Sequence, residues 1–165
     1  MIVRLAKVAN IDAVKMPLPP DGDFGAELAA LRGATPSTFS VGYSGDWGGA
    51  AALLAGGDAW YSVVAGLLPS EALALTVAAQ AGNISGVERL DRAFQPLWGL
   101  FKEFGSFRVM YAMADVLGLC KVDPPRPLLP LPQAALARVV SALIHLGALI
   151  SEDTSPVSPY YPRVD

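Results

Sequence analysis

Three short apolar runs in the first half of the chain, 11–16 (IDAVKM), 39–43 (FSVGY) and 59–64 (AWYSVV), are each followed by a stretch with the marks of a helix. This alternation constrains the fold more than any other feature. Strands that alternate with helices build βαβ units, and their crossovers make the strands parallel. Runs apolar on both faces suit parallel strands that are covered on both sides. The punctuation supports the division. Pro17, Pro19 and Pro20 stop the first run, because proline lacks the amide that a ladder or a helix needs. Asp23 is placed to cap a helix over 24–32, with Gly33 just past its end. Ser44, Gly45 and Asp46 turn the second run into a helix at 47–55, and Pro69 opens another that runs to Ala81 before Gly82 and Asn83. Residues 2–9 read as the end of a further helix, closed by Asn10.

From Ile84 the period changes. Val87, Leu90, Phe94, Leu97, Trp98, Phe101 and Phe104 lie three and four apart, which is one face of a long helix, and Pro96 within it predicts a kink. Residues 107–118 read as a second helix. The segment 124–132 (PPRPLLPLP) is barred from helix and is expected to cross a surface extended. A final helix is expected over 133–147, burying Leu136, Val139, Val140, Leu143 and Leu146 and stopping at Gly147. The expected division is therefore a strand-bearing part over 1–82, a helical part over 83–150 and a loosely held tail over 151–165. Three parallel strands alone leave two open edges, so the pattern reads as part of a barrel rather than a finished sheet.

Composition narrows the function classes. Apolar residues make up 53% of the chain and charged residues 16%, against roughly 25% in an average chain, so material for a core is ample. A net charge of −3 gives no basic surface for nucleic acid or for an anionic membrane. Trp47–Leu68 holds a single charge, Asp58, but Gly56, Gly57 and Asp58 cut it into a helix and a strand, so burial is expected rather than a membrane span. The opening MIVRLAKVANID carries Arg4 and Lys7 in its apolar stretch, unlike a secretory leader, and a cytoplasmic protein is expected. A single cysteine, Cys120, and a single histidine, His145, leave no intrachain disulfide and little for a metal site, and none is expected.

Lys15 is the first candidate for chemistry. It ends a strand and by period two shares a face with Ile11 and Ala13. An amine drawn into such apolar surroundings loses hydration, which disfavours the ammonium and lowers its pKa. A neutral amine adds to a carbonyl to give a Schiff base, and the C-terminal strand ends of βα barrels are where chemistry sits. The competing reading is a strand-end lysine whose head reaches water. The second candidate is Gly42-Tyr43-Ser44-Gly45-Asp46, where glycine admits a ligand close to the backbone and the amides that follow suit a carboxylate. Its competing reading is a plain turn with Asp46 as N-cap. The third is Trp60-Tyr61-Ser62, where Tyr61 or its neighbours face the barrel mouth unless the aromatics are simply core. His145 sits among apolar residues of the last helix, and nothing near Cys120 would activate a thiolate.

The strings RLAKVANIDAVKM, YSGDW, GGDAWYSVVAGLLP, AAQAGN with LDRAFQPLWGLF, and RPLLPLP follow in an order and spacing similar to the C-terminal half of the dihydrodipicolinate synthase / N-acetylneuraminate lyase family. The resemblance implies an α/β fold, the last part of a (β/α)8 TIM barrel followed by a C-terminal helical domain. It implies a lyase or class I aldolase that needs no cofactor, works through a lysine Schiff base with pyruvate or a related 2-oxo acid, and forms a homo-oligomer. By the same resemblance Lys15 falls at the Schiff-base lysine, Gly45 at the glycine of the Gly-Asp motif beside the keto acid, and Tyr61 at the strand position whose backbone lies close to the substrate. The sequence departs from the family at Met16-Pro17 after the lysine, in the PLPPDG loop, and at Gly66, where the family usually has asparagine. The family's proton-relay tyrosine and its hydroxyl-bearing loop lie upstream of the lysine, and 14 residues precede Lys15 here. The expectation is the C-terminal fragment of such an enzyme; its alternative is an inactive remnant that acts as a self-associating or interaction module.

Overall fold

The computed structural model describes residues 1–151. The elements follow in the order α1 (Ile2–Leu5), β1 (Ala13–Met16), α2 (Phe24–Ala34), β2 (Ser40–Ser44), a 3-10 turn (Asp46–Gly48), α3 (Gly49–Leu54), β3 (Ala59–Tyr61), a second 3-10 turn (Val64–Gly66), α4 (Pro69–Gln80), α5 (Ile84–Phe104), α6 (Ser106–Val116) and α7 (Gln133–Ser151). The strands form one parallel sheet in the order β1-β2-β3. The α/β alternation expected from the sequence is therefore present. The tail expected over 151–165 lies outside the described residues, apart from Ser151 at the end of α7.

The sheet has two unlike faces. Register pairs Val14 with Val41, and Met16 with Tyr43 and then Trp60. On this face Val41 and Tyr43 are fully buried and pack with Phe24 and Leu28 of α2 and Ala52 of α3, the Phe24 ring meeting Tyr43 edge-on at 5.1 Å. The opposite face carries Ala13, Lys15, Gly42, Ala59 and Tyr61. Ala13, Lys15 and Tyr61 are exposed there. The expectation of strands covered on both faces thus holds on one face only among the described residues.

Several boundaries differ from the sequence reading, each for a local reason. Strand β1 starts at Ala13, and Ile11 packs sideways against the smaller core instead of sharing the face of Lys15. Asp23 does cap α2, accepting from the Ala26 amide at 2.9 Å, but the helix runs through Gly33 to Ala34. The Thr35 hydroxyl then donates to the Leu31 carbonyl at 2.8 Å and closes it. Strand β3 ends at Tyr61 rather than residue 64, because Ser62 and Val63 turn toward Asp46. Helix α7 continues past Gly147 to Ser151, and Val140 is exposed instead of buried.

The larger core joins α3, α4 and the second 3-10 turn to the C-terminal helices. Helix α5 is its spine: Val87, Leu90, Phe94, Leu97, Trp98 and Phe101 are all buried, as their spacing predicts. Trp98 is stacked on Phe94 at 4.8 Å, meets Trp60 edge-on at 6.4 Å, and donates its indole N–H to Asp91 at 3.0 Å. The proline-rich crossing at 124–132 is neither helix nor strand. Arg108 of α6 pins it by donating to the carbonyls of Leu129 at 2.7 Å and Pro130 at 3.0 Å. No helix among the described residues is long and apolar enough to cross a membrane.

Candidate active site

The C-terminal ends of the three strands bring the sequence candidates to one edge of the sheet. Lys15 lies opposite Gly42, and Ser44 opposite Tyr61. Lys15 and Tyr61 come together: the ammonium nitrogen stands 5.8 Å from the centroid of the Tyr61 ring. Lys15 is exposed on the open face, so the apolar enclosure expected around its amine is absent among the described residues.

Gly42 makes the approach of Tyr61 feasible. A β-carbon there would fall 2.6 Å from a ring carbon of Tyr61, 2.8 Å from the Ala59 carbonyl oxygen and 2.9 Å from the Ala59 β-carbon. Glycine inside a strand often marks such a close crossing. Gly45 begins the 3-10 turn with φ +103°, a conformation open to glycine and costly for other residues. Leu18, from the proline-rich loop after β1, lies against Gly45 and Gly48, its side-chain carbons filling the space of both missing β-carbons.

Asp46 departs from the N-cap that the competing reading of its motif expects. It caps no helix through its side chain. It is 1% exposed, and its carboxylate reaches across to the end of β3. The Ser62 hydroxyl donates to Oδ1 at 2.8 Å, and the Val63 amide donates to Oδ1 at 3.0 Å and Oδ2 at 3.2 Å. The Ala65 amide in turn donates to the Ser62 hydroxyl at 3.1 Å. Burial holds the Asp46 carboxyl above its ordinary pKa, opposed in order by the Ser62 hydroxyl, the Val63 and Val64 amides and the Trp60 indole. That indole N–H is itself buried and makes no hydrogen bond of good geometry.

The other candidates stand apart from this edge. His145 is exposed on α7, in an open groove with Pro96 and Arg138. Cys120 is exposed and free beyond α6. No three histidine, cysteine or carboxylate side chains gather to hold a metal ion among the described residues. What the strand ends do offer is one amine, one aromatic ring beside it, and a buried carboxylate that ties two of the loops together.

Comparison with known proteins gives a consistent picture. A model of the dihydrodipicolinate synthetase family matches residues 1–146. The chain is 32% identical over 148 residues to the 4-hydroxy-tetrahydrodipicolinate synthase of Synechococcus elongatus, covering 88% of this chain and 48% of that protein. Among solved structures, the dihydrodipicolinate synthase of Agrobacterium tumefaciens is 60% identical with a TM-score of 0.86, over 88% of this chain and 49% of that one. The enzyme from Thermotoga maritima, 22% identical with a TM-score of 0.80, shares the fold. The chain spans about half the length of the curated relatives it matches.

Proposed function

The chain belongs to the dihydrodipicolinate synthetase family, and from that premise we propose that it forms the Schiff-base half of a lyase or aldolase acting on pyruvate or a related 2-oxo acid. In this reading residues 1–82 are the last part of a (β/α)8 barrel and 83–150 its C-terminal helical domain. The unprotonated form of the Lys15 amine adds to the ketone carbon, the adduct takes up one proton and loses water, and a protonated imine remains. The imine draws electrons from the adjacent carbon, so that a proton can leave it and the resulting enamine can attack an aldehyde. Gly45 and the amides after it hold the carboxylate of the keto acid, and the backbone at Tyr61 walls the substrate. In the family the proton relay is a tyrosine upstream of the lysine, and residues 1–14 hold no tyrosine, so this half supplies the amine and not the relay. The same reading makes the enzyme a cytoplasmic homo-oligomer that needs no cofactor.

The single observation that supports it best is the placement of Lys15. It is the penultimate residue of the parallel strand β1, on the open face, beside Gly42 and the Tyr61 ring. Incubation with pyruvate and sodium borohydride, followed by peptide mass mapping, tests it. The expected result is a reduced adduct on the Lys15 peptide that is lost in Lys15→Arg. An unmodified Lys15, with or without adducts on Lys7, Lys102 or Lys121, overturns the reading.

A further inference from the structure

We propose that Asp46 is a positioning residue: its buried carboxylate ties the turn after β3 to the turn after β2, and so holds the Tyr61 ring across Gly42 and against Lys15. The placement of Tyr61 needs such a device. Strand β3 is three residues long and ends at Tyr61. Tyr61 is 37% exposed and belongs to neither core, so core packing does not fix its ring. Gly42 opposes it with no side chain, which permits the approach but does not enforce it. The residues that follow, Ser62 and Val63, are the ones that the Asp46 carboxylate accepts from at 2.8, 3.0 and 3.2 Å. The Ser62 hydroxyl passes the restraint on by accepting from the Ala65 amide of the next turn. The backbone is therefore held on the C-terminal side of Tyr61 by Asp46, and on its N-terminal side by the ladder to β2.

The chemistry of the group fits the task. A carboxylate only accepts, so both oxygens can face donors without regard to flip. Its burial costs free energy unless those donors are present, so the turn and the carboxylate specify each other. The bearing on catalysis rests on the reading of Lys15 as the Schiff-base amine; the geometry itself does not.

Lysine methyl resonances decide the matter in the whole chain. Reductive methylation with 13C-formaldehyde labels Lys7, Lys15, Lys102 and Lys121, and Lys15→Arg assigns the relevant peak. Tyr61→Leu is expected to move the Lys15 resonance by removing the ring current. Asp46→Ala is expected to move it in the same direction with Lys7 and Lys121 unchanged, and Asp46→Asn, which keeps Oδ1, to return it close to its original position. The rate of reductive capture of pyruvate at Lys15 should fall by about tenfold or more in Asp46→Ala, the order of loss that a small misplacement brings. A Lys15 resonance unmoved by Asp46→Ala in a folded protein overturns the proposal, as does one unmoved by Tyr61→Leu. If Asp46→Ala does not fold, Ser62→Ala removes one donor only and should give a smaller shift in the same direction; no shift there overturns it equally. Failure of the unaltered protein to capture pyruvate would refute the Schiff-base reading, while the resonances still decide the role of Asp46.

Discussion

The Lys15 ammonium and the Tyr61 ring meet 5.8 Å apart across the bare α-carbon of Gly42. Three strands are needed to make that contact. Register sets Lys15 against Gly42 and Gly42 against Ala59, and Tyr61, two residues on, leans back over the glycine. A cation over an exposed aromatic face contributes about 0.5–1 kcal/mol, so the contact orients the amine more than it stabilises the fold.

Gly42→Ala should therefore be costly at a position that looks innocuous. Its β-carbon would fall within 3 Å of the Tyr61 ring and of backbone at Ala59. The ring can swing aside, but the carbonyl cannot without disturbing the β2–β3 ladder. Overpacking of this kind costs about 1–3 kcal/mol. Urea unfolding should show that loss, and Lys15 should lose the Tyr61 contact in the same variant. An unchanged midpoint would mean that the strands are less tightly apposed than described.

At the other end of the same strands, Asp58 makes stability depend on acid. Its Oδ2 accepts from the Val41 amide at 2.7 Å and its Oδ1 from Arg32 at 3.0 Å, while Arg32 also donates to the Gly56 carbonyl at 2.7 Å. Burial pushes the Asp58 carboxyl up, but the Val41 amide and Arg32 together outweigh it, and the net pKa is lowered. A lowered folded-state pKa gives stability that is full above the unfolded value of about 3.9 and is lost as pH falls through the folded one. Asp46 has the opposite sign: its raised pKa erodes stability as pH rises from the unfolded value through the folded one. In urea titrations Asp58→Asn should flatten the acid loss and cost about 1 kcal/mol at neutral pH. Asp46→Asn should flatten the opposing rise. A wild-type acid limb in Asp58→Asn would place the linkage elsewhere.

These residues also mark where the sequence was readable. The order of strands and helices followed from the change of period, and the buried face of α5 from spacings of three and four, because both depend on neighbours in the chain. Asp46, in Ser-Gly-Asp before an apolar run, suits a local cap, which is the competing reading of that motif. Its partners lie 16 and 17 residues away, in a turn whose approach only tertiary structure sets. Gly42 carried a visible signal, a glycine inside a strand, but not the name of the side chain that crosses it. The expected enclosure of Lys15 failed for a related reason: strand pattern says which residues share a face, not what covers that face. Gly33 and Gly147 stand where the sequence predicts stops, yet both helices run through them. A glycine costs a helix about 1 kcal/mol, too little to end one by itself.

The aromatic spine predicts the largest single loss. Trp98 is fully buried between Phe94, Trp60 and Phe101. Trp98→Ala should cost about 3–5 kcal/mol through lost burial and the cavity left behind. Trp98→Phe should cost less, because the ring stack survives and Asp91, which loses the indole donor, still accepts from Gln95 at 2.8 Å. Chemical unfolding of the two variants should separate them clearly; equal losses would show that the indole hydrogen bond outweighs the packing.

The loop after β1 gives a prediction in which two changes cancel. Gly48 has an ordinary negative φ of −115°, so alanine there is strained only by contact. Its β-carbon would fall 2.5 and 2.7 Å from the two terminal carbons of Leu18. These are the far end of a flexible side chain, so Leu18 can withdraw, and the withdrawal loosens the loop that lies against Gly45. Gly48→Ala alone should destabilise by about 1–2 kcal/mol. Leu18→Ala alone should cost about as much by emptying a partly buried site. Together they exchange volume across one contact, and the double variant should be more stable than the sum of the two losses allows, by about 0.5–3 kcal/mol. Gly45→Ala should not be rescued in the same way, because at φ +103° its cost is backbone strain that removing Leu18 cannot relieve. Urea unfolding of the three single variants and the two pairs with Leu18→Ala distinguishes these cases. Simple additivity at Gly48 would show that Leu18 does not fill its space in solution.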